Sequence, residues 1–325
     1  MTNRDLKYYE HAFTHLRRDH KKGGAPHKPI LLLSILDAFN YNLISENKIY
    51  VTPELISFFS TNWAAYVETE HDKRFTLPFF HMQTEPFWRL EANEGCEMWV
   101  QSKAAMRSLG NLQSAVKYAE IDKELFNLLR NSVNREVIRQ IILETYFPNT
   151  KGKSHAKDSL IFIDNLTNQI VEESPVEYSA KVKALKATLS ATEFEEAIIL
   201  RGSLFKREVP KKYKYTCCVS QLKIDVSFNS TMLIEACHIE PFSVSYIDTI
   251  SNGIALSPTL HTAFDRGLFT ISDDYEIIIS SKFTESKSVH GLKQFHGKKI
   301  LLPDLQSHCP DVDRIRWHQI NKFEQ

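Results

Sequence analysis

Four polar residues in the last third of the 325-residue chain stand at intervals that suit chemistry. Asn252 follows His238 by fourteen residues, and His261 follows Asn252 by nine. Asp265 lies four residues beyond His261, so on a helix the two side chains project from one face. A neutral imidazole can take a proton from water, because its ordinary pKa is about 6.5. A His and a carboxylate one helical turn apart can grip a divalent ion, and an Asn can tie a loop back onto itself. These are the parts that phosphodiester hydrolysis requires: a base for the water, and positive charge for the phosphate and the departing oxygen.

The elements that must position these residues are a hairpin and a helix. The stretch 232–242, Met-Leu-Ile-Glu-Ala-Cys-His-Ile-Glu-Pro-Phe, reads as a strand carrying His238, and a loop separates it from Asn252. The segments Ala-Cys-His238-Ile-Glu-Pro, Ser-Asn252-Gly-Ile-Ala-Leu and Leu-His261-Thr-Ala-Phe-Asp265-Arg-Gly together resemble the HNH nuclease family, whose fold is ββα-metal. The resemblance implies that His238 is the general base, that Asn252 orients the loop, and that His261 and Asp265 hold a divalent ion, Mg²⁺ or Mn²⁺. Many members of that family carry Asp or His immediately before the base as a further ligand, where this chain has Cys237. Either Cys237 packs, or the site leans toward Mn²⁺, Co²⁺ or Ni²⁺, since a thiolate suits softer ions than Mg²⁺. His290, His296, His308 and His318 fit no ligand spacing and read as surface or packing residues.

Composition bounds the remaining classes. Lys plus Arg and Asp plus Glu both number 40, so any nucleic-acid footprint must be a local basic patch rather than a global charge. No apolar run is long enough to span a membrane, and the first twenty residues lack the apolar stretch of a signal peptide. The five cysteines, Cys96, Cys217, Cys218, Cys237 and Cys309, are odd in number and include no CxxC pair. That argues against a disulfide framework or zinc ribbon and for a reducing cytoplasm.

The length suggests two domains, and the pattern suggests an α+β chain. Residues 1–147 read as mainly helical, 148–187 as a polar linker with room for a helix over 159–172, and 188–325 as the catalytic half. Leu6, Tyr9, Phe13 and Leu16 share one helical face; Pro29 opens an apolar helix; Thr52-Pro53 caps the next. Segments 74–90 and 96–101, rich in aromatics and prolines, read as extended or looped. Helices are expected near 121–130 and 133–147, and Thr192 with Glu195 resembles a capping box.

The first half carries a basic, polar opening with Arg17, Arg18, His27 and Lys28, a set able to neutralise phosphates. Ala-Pro-His27-Lys-Pro-Ile-Leu-Leu-Leu, then Arg74-Phe-Thr-Leu77-Pro78-Phe-Phe-His81-Met and Pro-Phe-Trp88-Arg-Leu, resembles the sulfur-binding domain of phosphorothioate-dependent restriction endonucleases. In that family a shallow apolar pocket lined by a proline ring receives the sulfur on the DNA backbone. Pro78 is the matching position, with Leu77 where the family often has Tyr, and Arg74 and His81 flank it as candidates for phosphate or base contacts. The combined resemblance implies a cytoplasmic restriction enzyme that binds phosphorothioate-modified double-stranded DNA and cuts nearby phosphodiesters. Cutting both strands takes two active sites or two encounters, and a homodimer would supply the former. The alternatives are an HNH nuclease directed to modified bases and a DNA-binding sensor that does not cut.

Overall fold

The computed structural model describes residues 4–102, 105–151, 156–224, 233–286 and 288–324. Met232, at the start of the expected strand, and residues 152–155 of the expected linker lie outside the described residues. The chain is α+β and divides into two compact units, Met1–Asp164 and Asn165–Gln325.

In the first unit, helix α1 (Leu6–Thr14) begins where the Asp5 carboxylate accepts from Tyr8 N, and it buries Tyr9 and Phe13. Helix α2 (His27–Asn40) is buried along almost its whole length, as its unbroken run Ile30-Leu-Leu-Leu requires. Helix α3 (Pro53–Tyr66) packs on α2 and starts as expected, with Thr52 Oγ1 accepting from Leu55 N at 3.2 Å.

The segment after it differs from the expectation of an extended loop, because Thr76–His81 forms a short helix, α4. Pro78 falls in the first turn, where the missing N–H has no intrahelical partner to lose, so the turn can close and bury Phe75, Phe79 and Phe80. Strand β1 (Trp88–Ala92), helix α5 (Leu109–Ala115) and strand β2 (Val116–Ile121) follow. The two strands pair antiparallel with Trp88 opposite Ile121. Helices α6 (Lys123–Leu129) and α7 (Ser132–Tyr146) come next. Asp37 of α2 ties the unit together, accepting from Asn62 of α3 at 2.7 Å and pairing with Arg139 of α7.

Two helices occupy the stretch expected as linker: α8 (Ala156–Glu172), in which the boundary between units falls, and α9 (Pro175–Thr188). Helix α10 (Ala191–Lys212) opens with a capping box two residues earlier than expected. Ser190 Oγ accepts from Glu193 N at 3.3 Å, and the Glu193 carboxylate accepts from Ser190 N at 3.1 Å.

The hairpin of the second unit comprises β3 (Glu235–His238) and β4 (Gly253–Leu256), with one helical turn, α11 (Phe242–Ser245), in the loop between them. Helix α12 (Pro258–Asp265) follows, then a second hairpin of β5 (Phe269–Ile271) and β6 (Ile277–Ile279), and finally α13 (Val312–Asn321). Leu204, Phe205 and Val209 of α10 are fully buried beside Ile254 and Leu256, so α10 is the floor on which the first hairpin lies. Among the described residues no helix is long and apolar enough to cross a membrane.

Candidate active site

Strand alternation sorts the chemical groups. Along β3, Glu235 and Cys237 point to one face and Ala236 and His238 to the other. The first face meets α12. There Cys237 Sγ, a His261 ring nitrogen and an Asp265 carboxylate oxygen lie within 4.8 Å of one another. His261 Nδ1 bonds Glu235 Oε2 at 2.8 Å, and His261 Nε2 stands 3.5 Å from Asp265 Oδ2. Both ring nitrogens thus face carboxylates; hydrogen on Nδ1, toward the nearer Glu235, would leave the Nε2 lone pair for an ion.

Cys237 is fully buried and donates weakly to Asp265 Oδ1 at 3.8 Å. Burial, reinforced by the neighbouring Asp265 charge, holds its thiol well above the ordinary range. This Cys–His–Asp cluster is a candidate metal site. The His261 imidazole and the Asp265 carboxylate, which is 61% exposed and open to approach, fit an ion, with the Cys237 thiol bonded to Asp265 beside them.

On the other face, His238 lies flat against Phe205 of α10, with ring centroids 4.0 Å apart and planes 9° from parallel. The packing is this close because Gly253 stands opposite His238 in the hairpin. A Cβ at 253 would come within 2.6 Å of Val209 Cγ2 and 2.9 Å of the Phe205 ring. The His238 side chain remains 24% exposed, and its Nε2 bonds Asp248 Oδ1 at 2.8 Å.

Asn252 is completely buried and closes the loop between the strands. Its Oδ1 accepts from Glu240 N, and its Nδ2 donates to Glu240 O and Ile247 O, each at 2.9 Å. The amide therefore reaches His238 only through the loop backbone. Glu240 itself pairs with Arg314 of α13, which fixes the loop from outside.

Sequence reasoning missed Asp248 and Glu235. Glu235 had a signal, since it precedes Cys237 by two positions and so shares its face of the strand. Asp248 had none beyond being an acid in the loop between His238 and Asn252.

The first unit holds a separate cavity of about 570 Å³. Arg17, Arg18, His27, Lys28, Leu77, Pro78 and His81, all expected at the DNA site, line it together with His71 and Thr84. Arg74 instead stands beside Asp72 at 3.7 Å. Lys28 is buried and already matched, pairing with Glu85 and donating to Thr84 Oγ1 at 2.7 Å. Its burial lowers the ammonium pKa, and Glu85 opposes that shift. Glu85 also accepts from Arg17 N at 3.0 Å, so one buried carboxylate anchors both the basic arm and α2. His27 packs edge-on against Trp63 and bonds Asp72 O at 2.9 Å, with burial lowering its pKa.

Residues 217–272 match the HNH endonuclease family. The second unit carries an HNH endonuclease domain. The matched span takes in the hairpin with His238, Asn252 and the helix of His261 and Asp265. A solved structure of a modification-dependent restriction endonuclease, TagI, is similar at 24% identity, with a TM-score of 0.26. That similarity covers 35% of this chain and 36% of the other, so the chain spans about a third of TagI. No curated protein matches the chain.

Proposed function

We propose that the protein is a cytoplasmic restriction endonuclease that binds phosphorothioate-modified double-stranded DNA through its first unit and cuts nearby phosphodiesters with the HNH domain. The observation that carries the recognition half is the cavity in which Pro78 and Leu77 meet Arg17, Arg18, His27 and His81. An apolar patch of Leu77 and Pro78 with the cationic Arg17 and Arg18 beside it, and Asp19 also on the rim, suits a backbone position that is charged yet poorly hydrated. A phosphate oxygen pressed on a proline ring loses water and gains no donor, at a cost of about 1–3 kcal/mol. Sulfur is more polarisable and a weaker acceptor, so it loses less there and gains dispersion contact. At about 1.4 kcal/mol per decade, the preference is roughly tenfold to a hundredfold.

In the HNH domain His238 is the base and His261 and Asp265 are the ligands. Glu235 sets the His261 tautomer, and Asn252 holds the loop. A divalent ion, when bound, supplies positive charge to the phosphate and the departing oxygen, with Mg²⁺ or Mn²⁺ the expected ions and Co²⁺ or Ni²⁺ favoured if Cys237 joins as ligand. His238 takes a proton from water, whose oxygen forms the new bond to phosphorus. The bond to the 3′ oxygen breaks, leaving 5′-phosphate and 3′-hydroxyl ends. A homodimer would present two such sites to the two strands.

A second reading rests on size. A cavity of about 570 Å³ exceeds what one sulfur atom fills and would admit a modified base turned out of the duplex. Gel-shift titration of the full chain in EDTA separates the two, using duplexes identical except for one sulfur, one base methyl group, or neither. Tightest binding to the sulfur duplex is the expected result, and equal binding to all three would remove the phosphorothioate claim.

A further inference from the structure

Asp248 has no place in the set that the sequence pattern supplies, yet it is built into the site. Its carboxylate is almost wholly buried, with one oxygen 2.8 Å from His238 Nε2 and the other without a hydrogen-bond partner among the described residues. A buried carboxylate oxygen left unpaired costs stability, so packing alone gives no reason to keep an acid at this position. The loop that holds it is over-determined. Asn252 Nδ2 binds the carbonyl of Ile247, immediately before Asp248, and Ser245 O accepts from Ser179 of α9 at 2.8 Å. Phe205, stacked on one ring face, leaves a half-turn about Cβ–Cγ as the motion that keeps the stack, and the bond from Nε2 to Asp248 opposes it.

We infer that Asp248 is the positioning residue for the base, holding His238 in the tautomer with hydrogen on Nε2 so that Nδ1 accepts the proton from water. The inference rests on the reading of His238 as base. In the step, water gives its proton to Nδ1, the oxygen bonds phosphorus, and the bond to the 3′ oxygen breaks. The leaving oxygen takes a proton from solvent, to which Nδ1 later returns its own. Asp248, bonded to Nε2, stabilises the imidazolium that forms. Asn252 then acts at one remove, by fixing the loop that fixes Asp248.

Two measurements on the full chain test this. Ring ¹⁵N shifts of His238 in ¹⁵N-histidine-labelled wild type, identified by their loss in His238→Ala, report the tautomer without any change to the site. Hydrogen on Nε2 is expected, and hydrogen on Nδ1 overturns the inference. Steady-state cutting by Asp248→Asn, which keeps shape and removes charge, should show kcat lower by at least about tenfold, with KM for DNA and Mn²⁺ affinity unchanged. Wild-type kcat in Asp248→Asn beside an inactive His238→Ala would refute the role of Asp248 alone. Wild-type kcat in His238→Ala would refute the base itself.

Discussion

Gly253→Ala adds one methyl group at the tightest point beneath His238. Gly253 has φ −126°, an ordinary extended conformation, so the substitution brings no backbone strain and its effect is pure contact. The new Cβ would stand 2.6 Å from Val209 Cγ2 and 2.9 Å from Phe205, where ordinary contact begins near 3.4 Å. Neighbours must therefore yield by about 0.5–0.8 Å. Val209 and Phe205 are both fully buried, so neither can swing into solvent, and the strain passes to the stacked His238 ring or to the hairpin. Overpacking of this kind costs about 1–3 kcal/mol. A displacement approaching 1 Å at a reacting group costs up to about a hundredfold in rate. Single-turnover cutting should fall by roughly tenfold to a hundredfold, with the duplex affinity of the first unit intact and the melting of the HNH domain lowered. A folded Gly253→Ala protein cutting within about twofold of wild type would refute the coupling between Gly253, Phe205 and His238.

Two further outcomes follow from the same geometry. Glu235→Ala removes the acceptor at His261 Nδ1 and should weaken Mn²⁺ binding by about 10–100-fold, read by calorimetry; unchanged affinity would show that Glu235 is a surface partner only. His318 lies stacked on Phe264 and bonded to Thr270 Oγ1, and burial lowers its pKa from 6.5 to about 4. The unfolded chain thus takes up the proton first: the stability is full above about pH 6.5, falls as pH drops, and levels out below about 4. His318 should contribute a loss of about 2 kcal/mol between pH 7 and 5, so the denaturant-unfolding slope over that range should shrink by that amount in His318→Gln while the smaller contributions of His27 and His308 remain. The same slope in the variant would assign it to other groups.

The HNH segment was legible because its constraints are local. A hairpin and one helical turn fix how His238, Asn252, His261 and Asp265 must be spaced, and a strand's alternation places Cys237 with the helix. Phe205 and Asp248 were not legible, because they reach His238 from a helix 33 residues earlier and from an irregular loop, neither of which leaves a periodic trace. Pro78 read as a break in regular structure, yet a first-turn proline leaves a helix intact, so α4 was mistaken for a loop. Helix α9 hid inside the expected linker because few of its side chains go inside, chiefly Tyr178, Ser179 and Val182, too narrow a stripe to stand out among its lysines and alanines. The cavity of the first unit was half legible. Arg17, Arg18, His27, Lys28, Leu77, Pro78 and His81 were named from the sequence, while His71, Thr84 and the pairing of Lys28 with Glu85, far apart in the chain, were not.

The most direct test of the account is a cutting assay on two duplexes that differ by a single backbone sulfur, with wild type and His238→Ala side by side in Mn²⁺. Wild type should cut the sulfur-bearing duplex at least about tenfold faster at sub-saturating enzyme, and His238→Ala should cut neither. Equal cutting of both duplexes would contradict the recognition half, and cutting by His238→Ala at the wild-type rate would contradict the catalytic half.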